Sequence, residues 1–561
     1  MKKLILFLSL VLLNISCKSQ NETIVYKDKV VVSQVNPKLV VGIVVDQMRY
    51  DYLTRFYNKY GEGGFKRMMN EGYNCKNNHF NYIPTKTGPG HTSIYTGTTP
   101  KYNGIIGNDW FDKNLNKKVN CVEDNSVQPI GTSSNDGKKS PKRMLTTTFA
   151  DENRLFTQMR GKTIGISLKH RGAILPAGHT ANAAYWLDYK HEGAGNWITS
   201  SFYMNNLPKW VQDFNTSTIT ESYFKEWNTL YPIDTYTESG SDLNMFERKF
   251  KGKESATFPY NLEALKSLNG NFKIIAESPY GNSLTTDFAL AAIDGEQLGQ
   301  DEFTDVLTIS YSSTDKIGHD FGVNSKEVED TYIRLDLEIE RLLKYLDEKV
   351  GVGEYTIFLT SDHGAPDVPA YLKSEKIPSG LFDESAMFDD INELLHKKYG
   401  APGLLLSRIN NQLFFNHALI EKKSLDLQLI KQTAANALLK YDLIDKVFIT
   451  SEINIFENIN GYVESMLANG HHQKRSGEVL FVYKPAVFKD TPWNRTGTDH
   501  HSGFNYDTHV PLLFFGKGIL KGSTINRTEI IDIAPTISAL LGISFPNGSI
   551  GMPLDFVLEK D

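Results

Sequence analysis

The stretch LVVGIVVDQM, residues 39–48, begins with seven residues that carry no polar side chain and then reaches an aspartate. An apolar run without alternation is typical of a strand that is buried on both faces of a parallel sheet. Further strand candidates occupy residues 162–168, 305–311, 355–360, 445–450, 478–484 and 509–515. Helical patterns lie between them, with apolar residues at three- and four-residue steps. This rhythm predicts an α/β domain with a central, mostly parallel sheet flanked by helices.

Two long stretches interrupt the alternation of strands and helices. Residues about 175–290 are rich in Tyr, Trp, Asn, Ser and Thr, and residues about 366–480 mix helical patterns with short strand candidates. Both follow a predicted strand end, so we expect two insertions that form a cap over the carboxyl edge of the sheet. A cap at this edge would exclude water from a site below it. The domain itself is expected to span residues 37–561.

The N-terminal residues have the features of an export signal. Met1-Lys2-Lys3 is followed by the apolar run LILFLSLVLL, which is too short to span a bilayer, so residues 1–17 are expected to be a signal peptide. Cys17 fits a lipoprotein cleavage site except that Asn14 stands where Leu is usual, and this leaves lipidation of Cys17 open. Residues 18–36 are polar and predict a linker. No later stretch reaches the roughly 18 apolar residues of a transmembrane helix.

The net charge bears on possible binding partners, and the cysteines bear on a possible disulfide. The net charge of −6 gives no electrostatic reason to expect binding to nucleic acid or to an anionic membrane. Apart from Cys17, the cysteines are Cys75 and Cys121. In an oxidising compartment this pair predicts one disulfide, and the alternative is two buried thiols.

Six side chains that can bind metal ions lie where predicted strands end. They are Asp46, Asp315, His319, Asp362, His363 and His500. Each alone has an ordinary explanation, since an aspartate after a strand often caps the next helix. Together, three aspartates and three histidines suit two zinc ions, and the carboxyl ends of parallel strands converge on the crevice where ligands bind. A binuclear metallo-hydrolase is therefore the leading hypothesis.

The segment PTKTGPGHTSIYTG, residues 84–97, carries four hydroxyl side chains around a Gly-Pro-Gly turn that leads into a predicted helix. They are Thr85, Thr87, Thr92 and Ser93. A helix N-terminus stabilises an anion, and coordination to a metal ion activates a hydroxyl as a nucleophile. The alternative is a polar helix cap. The spacing alone does not choose among the four hydroxyls.

The ordered motifs D-Q-M-R, P-T-x-T-G-P-G-H, N-G-I-I-G-N-D-W, S-L-K-x-R, T-D-x-x-G-H, S-D-H-G and Y-D-T-H-V-P-L resemble those of the alkaline phosphatase superfamily, from residue 46 to residue 510. The resemblance implies that Thr87 is the nucleophile. It implies one zinc bound by Asp315, His319 and His500, and a second bound by Asp46, Asp362, His363 and Thr87. It also implies that Asn108, Lys169 and Arg171 contact the phosphoryl oxygens. We expect an insertion to bring Lys169 and Arg171 close to the metals.

One position departs from the superfamily pattern. His500 is followed by His501, where the pattern usually has Gly, so His501 is a rival ligand. Counting back from Tyr506-Asp507 favours His500.

The resemblance also implies a substrate class. Two Zn²⁺ are balanced by three aspartates and a threonine alkoxide, and the two positive charges of Lys169 and Arg171 then match a phosphate monoester dianion. This predicts a periplasmic or outer-membrane-anchored alkaline phosphatase that acts on small-molecule phosphomonoesters through a phosphothreonine. A phosphodiesterase or nucleotide pyrophosphatase would share the ligands. Thr87 disfavours a sulfatase, the export signal disfavours a manganese-dependent phosphoglycerate mutase, and a non-catalytic metal- or phosphate-binding protein is a further alternative.

Overall fold

The computed structural model describes residues 36–189, 195–452 and 461–559. The predicted signal peptide, Cys17 and all of the predicted linker except Asn36 lie outside the described residues. Among the described residues, no helix is both long enough and apolar enough to cross a membrane.

Two sheets organise the described part of the chain. Their strands in chain order are β1 Leu39–Val45, β2 Tyr73–Cys75, β3 Pro129–Ile130, β4 Thr163–Ser167, β5 Ala183–Asp188, β6 Asn196–Ser200, β7 Asp305–Tyr311, β8 Tyr355–Thr360, β9 Leu405–Ile409, β10 Gln412–Phe415, β11 Ile444–Ile449, β12 Val479–Tyr483, β13 Leu512–Gly516 and β14 Gly522–Thr524. The ten-stranded central sheet has the order β14-β2-β13-β8-β1-β7-β4-β5-β6-β3. Strands β8, β1, β7, β4 and β5 are mutually parallel, which confirms the mostly parallel sheet.

The longer helices connect the strands of the two sheets and pack against them. They are α1 Phe65–Glu71, α2 Thr87–Thr96, α3 Phe149–Phe156, α4 His170–Ala177, α5 Lys209–Thr216, α6 Tyr280–Glu296, α7 Ser313–Phe321, α8 Lys326–Leu346, α9 Glu384–Tyr399, α10 Leu427–Leu438, α11 Tyr462–Gly470 and α12 Ile533–Leu541. Alternate side chains of β1 point to opposite faces. Val41 and Ile43 therefore lie on one face of the sheet, and Val40 and Val44 lie on the other. Val41 and Ile43 pack in the apolar cluster that contains α6 and α8. Val40 and Val44 pack in the cluster that contains α2 and α12, so both faces of the sheet are buried.

The cap has its own antiparallel sheet with the order β9-β10-β12-β11, and its own apolar core. The strands predicted at 445–450 and 478–484 lie in this sheet and not in the central one. Their apolar residues pack against α9 and α10 of the cap, and a strand buried in this way has the same composition as a central strand.

The sequence placed the first insertion too early. Strands β5 and β6 fall inside the stretch 175–290, yet β5 pairs with β4 and β6 pairs with β5 in the central sheet. Their sequences, AAYWLD and NWITS, contain few branched aliphatic residues, which concealed them. The part of this stretch that lies outside the central sheet begins after β6.

The expected disulfide is not formed, because Cys75 and Cys121 are both free and buried. Cys75 ends β2 and packs in the cluster with α12, whereas Cys121 packs in a separate cluster around Trp110 and Trp186. Burial raises the pKa of both thiols to about 12. The alternative of two buried thiols is therefore the correct one.

Candidate active site

Four adjacent parallel strands end beside one another and carry the charged residues of the site. The strand order β8-β1-β7-β4 places Asp362, Asp46, Asp315 and Lys169 in that order along one edge of the sheet. The register fixes the alignment, since Val45 of β1 pairs with Tyr311 of β7 and Val44 pairs with Thr360 of β8. Only Leu168 separates Lys169 from the end of β4 at Ser167, so the central sheet brings Lys169 to the site. The expectation that an insertion does so was wrong.

The structure brings all six candidate ligands together. His319 Nε2 lies 3.1 Å and His500 Nε2 lies 3.7 Å from the same oxygen, Asp315 Oδ1. His363 Nε2 lies 3.5 Å from Asp46 Oδ1 and 3.6 Å from Asp362 Oδ2. Two groups have donor atoms close enough to hold a metal ion, and they are Asp315 with His319 and His500, and Asp46 with Asp315 and His363. Asp315 therefore belongs to both groups.

The three histidines present their Nε2 atoms to the carboxylates in the same way. The Nδ1 atom of His319 lies 2.7 Å from the carbonyl oxygen of Thr498, and that of His500 lies 2.7 Å from the carbonyl oxygen of Thr85. His363 Nδ1 lies 3.1 Å from the carbonyl oxygen of Gly364. A carbonyl oxygen only accepts, so each Nδ1 carries the proton and each Nε2 offers a lone pair. This is the arrangement of histidines that bind metal ions.

The charges of the site also fit divalent cations. Asp46, Asp315 and Asp362 are almost completely buried. Burial and repulsion from the other two carboxylates raise the pKa of Asp46 well above its usual value. Among the described residues, Asp46 Oδ1, Asp362 Oδ2 and His363 Nε2 are buried atoms without a hydrogen-bond partner. Divalent metal ions would satisfy these atoms and balance the excess negative charge.

Lys169 is the cation in direct contact with these carboxylates. Its Nζ donates to Asp46 Oδ2 at 2.6 Å and also to Asp315 Oδ2. Burial opposes the charge of Lys169, but Asp315 and Asp46 raise its pKa, so the ammonium stays protonated. Lys169 is buried, at the residue before α4.

Thr87 is the hydroxyl of segment 84–97 that faces a free cationic donor. Thr87 is the first residue of α2, and its Oγ1 lies 3.5 Å from Arg171 Nη2. The hydroxyl of Thr85 donates to the carbonyl oxygen of Ser502, and that of Thr92 donates to Gly88, so both are engaged in the fold. The structure thus separates hydroxyls that the sequence spacing did not.

Asn108 lies beside Thr87 with a defined orientation. Its Oδ1 accepts a hydrogen bond of 2.6 Å from the backbone N–H of Gly88. The acceptor end of the amide is therefore occupied, and the NH₂ end is left to donate to a ligand. Gly90 of the same helix lies against the strand end that carries Asp362, because a Cβ on Gly90 would come within 2.4 Å of the Asp362 carbonyl oxygen.

His500 and His501 have different surroundings. His500 stacks on His363, with the ring centroids 3.3 Å apart, inside the group of ligands. The ring of His501 packs edge-on against Tyr483 and Phe488 of the cap. His501 belongs to neither group of donor atoms that could hold a metal ion. The geometry favours His500 over the rival.

Two further residues, Gln47 and His91, lie against the ligand carboxylates and were not among the predicted site residues. Gln47 Nε2 donates to Asp315 Oδ1 at 3.0 Å, and its backbone N–H donates to Asp362 Oδ1 at 3.2 Å. His91 Nδ1 lies 3.2 Å from Asp362 Oδ2. The four-residue spacing from Thr87 to His91 places both on one face of α2 and was the signal available. Gln47 has a φ of +68°, which no sequence pattern indicated.

Fold and site together define an α/β protein with a buried carboxylate–histidine centre at the carboxyl edge of its sheet. The model of the type I phosphodiesterase / nucleotide pyrophosphatase family matches residues 40–504. The chain belongs to this family and is an enzyme of the alkaline phosphatase superfamily, as the order of its motifs predicted.

Similar proteins cover almost the whole chain. A Myroides odoratus protein named calcium-transporting ATPase is 45% identical over 93% of this chain and 95% of its own length. Alkaline phosphatase PhoV of Synechococcus elongatus is 46% identical over 93% of both chains. Alkaline phosphatase PafA of Elizabethkingia meningoseptica is 44% identical over 93% of this chain and 95% of its own length. The crystal structure of wild-type PafA matches with a TM-score of 0.88 at 43% identity, over 93% of this chain and 99% of that one.

Proposed function

We propose that this protein is an exported phosphate monoesterase that releases inorganic phosphate with two zinc ions and a phosphorylated Thr87. The observation that carries the proposal is the pair Lys169 and Arg171, which adjoins both the buried carboxylates and the Thr87 hydroxyl. The similarity to PhoV and PafA supports the same activity. Export is supported by the predicted signal peptide alone.

The six ligands would hold two metal ions. One ion would be bound by Asp315, His319 and His500, and the other by Asp46, Asp362 and His363. The ions would supply Lewis-acid stabilisation of the attacking and leaving oxygens and would lower the pKa of the Thr87 hydroxyl and of water. The fixed Nδ1 contacts of the three histidines orient the ligands before substrate arrives. Gln47 donates hydrogen bonds to Asp315 and to Asp362, and these keep both carboxylates in place.

The proposed reaction takes place at the Thr87 hydroxyl, in two displacements at phosphorus. Thr87 Oγ1, at the N-terminus of α2, attacks phosphorus, and the P–O bond to the alcohol breaks, which gives a phosphothreonine and the free alcohol. Water attacks the phosphothreonine in a second displacement, which releases phosphate and restores the Thr87 hydroxyl. Arg171 and the NH₂ group of Asn108 donate to the equatorial oxygens, where negative charge is greatest.

Lys169 and Arg171 are the basis for preferring monoesters over diesters. A monoester brings a dianionic phosphoryl group, and a diester brings a single negative charge. Arg171 beside Thr87 and Lys169 on the ligand carboxylates together match the charge of the monoester, and a diester would gain less from the second cation. In the structure Lys169 is held by Asp46 and Asp315, and we propose that the same ammonium contacts a phosphoryl oxygen bound at this cluster.

The name of the family keeps a second candidate function, a phosphodiesterase or nucleotide pyrophosphatase, in consideration. Such an enzyme would use the same ligands and the same Thr87. Nothing about its substrate calls for a buried lysine in contact with the ligand carboxylates, which is why the monoesterase is preferred.

We expect Lys169→Ala to lower kcat/KM for an aryl phosphate monoester by about 10²–10³-fold, because it removes one charged donor to the phosphoryl group. The matched methyl aryl diester should lose about tenfold or less. Steady-state kinetics with both esters check this, and the metal content of the variant shows whether the ligand site survived. Equal losses with both esters at full metal content would contradict the role given to Lys169.

A further inference from the structure

A cavity of about 290 Å³ lies between the cap and the helix that carries Thr87. Its wall on the catalytic side includes Lys86, which directly precedes Thr87, and Asp499, which directly precedes His500. Its opposite wall comes from the cap and includes Arg408 of β9. The volume is close to the lower end of the range for small-molecule sites. We call this space the leaving-group cavity.

Positive charge dominates the leaving-group cavity. Its charged lining side chains are Lys86, Lys118, Arg408, Lys489, Glu384 and Asp499, four cations against two carboxylates. Glu384 serves two of the cations, because its Oε2 lies 3.1 Å from Lys489 Nζ and 3.8 Å from Arg408 Nε. The hydroxyl of Tyr483 also donates to Glu384 at 2.7 Å. One carboxylate thus faces two cations and a hydroxyl donor, which leaves positive charge unbalanced.

Two donors in the cavity wall have capacity for a ligand. The Lys86 ammonium makes no hydrogen bond or ion pair with any other described residue, and Lys86 lines the cavity together with Asp499. Arg408 Nε is buried and has no hydrogen-bond partner among the described residues. Lys118, by contrast, pairs with Asp109 at 3.3 Å and is exposed at the rim. Lys86 and Arg408 are therefore the donors best placed to receive an anion.

We propose that the leaving-group cavity binds the alcohol part of the substrate and favours alcohols that carry a second negative charge, a carboxylate or a second phosphate. The proposal rests on the proposed function, since it concerns the monoester whose phosphorus lies at Thr87. Lys86 and Asp499 are the chain neighbours of Thr87 and His500, so an ester bound there has the cavity beside it. A concave site lined by one excess sign of charge raises the local concentration of the opposite charge.

The test uses two aryl monoesters that differ in charge and not in leaving-group chemistry. They are 4-(carboxymethyl)phenyl phosphate and 4-(carbamoylmethyl)phenyl phosphate, in which a methylene separates the substituent from the ring. We expect the parent enzyme to prefer the carboxylate ester in kcat/KM by about threefold or more. Lys86→Met and Arg408→Met should each reduce this preference by about two- to fivefold, as partly exposed charge pairs do. Raising the salt concentration should also reduce it.

The controls separate this proposal from loss of structure and from failure of the proposed function. In Arg408→Met, Glu384 keeps Lys489 as a partner, so no buried carboxylate is left unpaired. Lys397→Met removes an exposed lysine of α9 in the same cap, paired only with exposed Glu393, and should leave the preference unchanged. Equal kcat/KM for the two esters in the parent, or a preference that survives in both cavity variants, would overturn the proposal. Hydrolysis of neither ester would instead overturn the monoesterase itself.

Discussion

Thr87→Ala should lower kcat/KM for phosphate monoesters by about 10⁴-fold or more, because it removes the atom that attacks phosphorus. Arg171 and Asn108 would remain to bind the phosphoryl group, so substrate should still bind. The side chain is small and faces Arg171 across 3.5 Å, so we expect its truncation to leave the helix and the six Asp and His ligands unchanged. Steady-state kinetics together with a phosphate-binding titration measure the two effects separately.

Two matched variants show whether the hydroxyl itself is responsible. Thr87→Ser keeps an attacking oxygen and should retain activity within about 100-fold of the parent. Thr92→Ala removes another buried hydroxyl of α2, which donates to the carbonyl oxygen of Gly88, and should affect stability by about 1 kcal/mol and activity little. Full activity of Thr87→Ala would refute the assignment of the nucleophile.

His500→Ala should cost the enzyme one of two zinc ions and more than about 100-fold in kcat/KM. His500 Nε2 belongs to the donor group with Asp315 and His319, and its Nδ1 is fixed by the carbonyl oxygen of Thr85. Changes to groups that only orient a ligand already reduce metal affinity or activity by about 10–100-fold, so loss of a ligand should cost more. Zinc per chain by elemental analysis, in parallel with kinetics, provides the measurement.

His501→Gln is the control for this variant, since His501 is the neighbour and packs against Tyr483 and Phe488. It should retain two zinc ions per chain and lose much less activity than His500→Ala. The opposite result, zinc loss in His501→Gln and none in His500→Ala, would show that the rival histidine is the ligand. Manganese or calcium in place of zinc would contradict the choice of metal.

Much of the fold could be predicted because the central strands are apolar on both faces. The ranges 39–45, 305–311 and 355–360 match the observed strands β1, β7 and β8. The ligands were predictable for the same reason, because parallel strands bring their carboxyl ends to one edge. Strands β5 and β6 were not predicted because their sequences lack such runs. The strands predicted at 445–450 and 478–484 exist as β11 and β12, and both lie in the cap, where residues about 366–480 were expected to form an insertion.

The details that depend on close approach of distant segments could not be predicted. Gln47 reaches Asp315 only because Gly318 leaves room, since a Cβ at Gly318 would lie 1.9 Å from Gln47 Oε1. The contact of the Asn410 side chain in the β9–β10 turn with the backbone of Asp109, next to Asn108, joins segments about 300 residues apart. Compartment and cysteine number suggested a disulfide, but the two thiols pack in different clusters.

The central claim is that the charge of the site selects phosphate monoesters. The most direct measurement is kcat/KM of the zinc-loaded parent enzyme for an aryl phosphate monoester and for its methyl diester, with the same aryl leaving group. Arg171 beside Thr87, together with Lys169 on the ligand carboxylates, predicts a large preference for the monoester. A preference for the diester would contradict the account and would favour the phosphodiesterase.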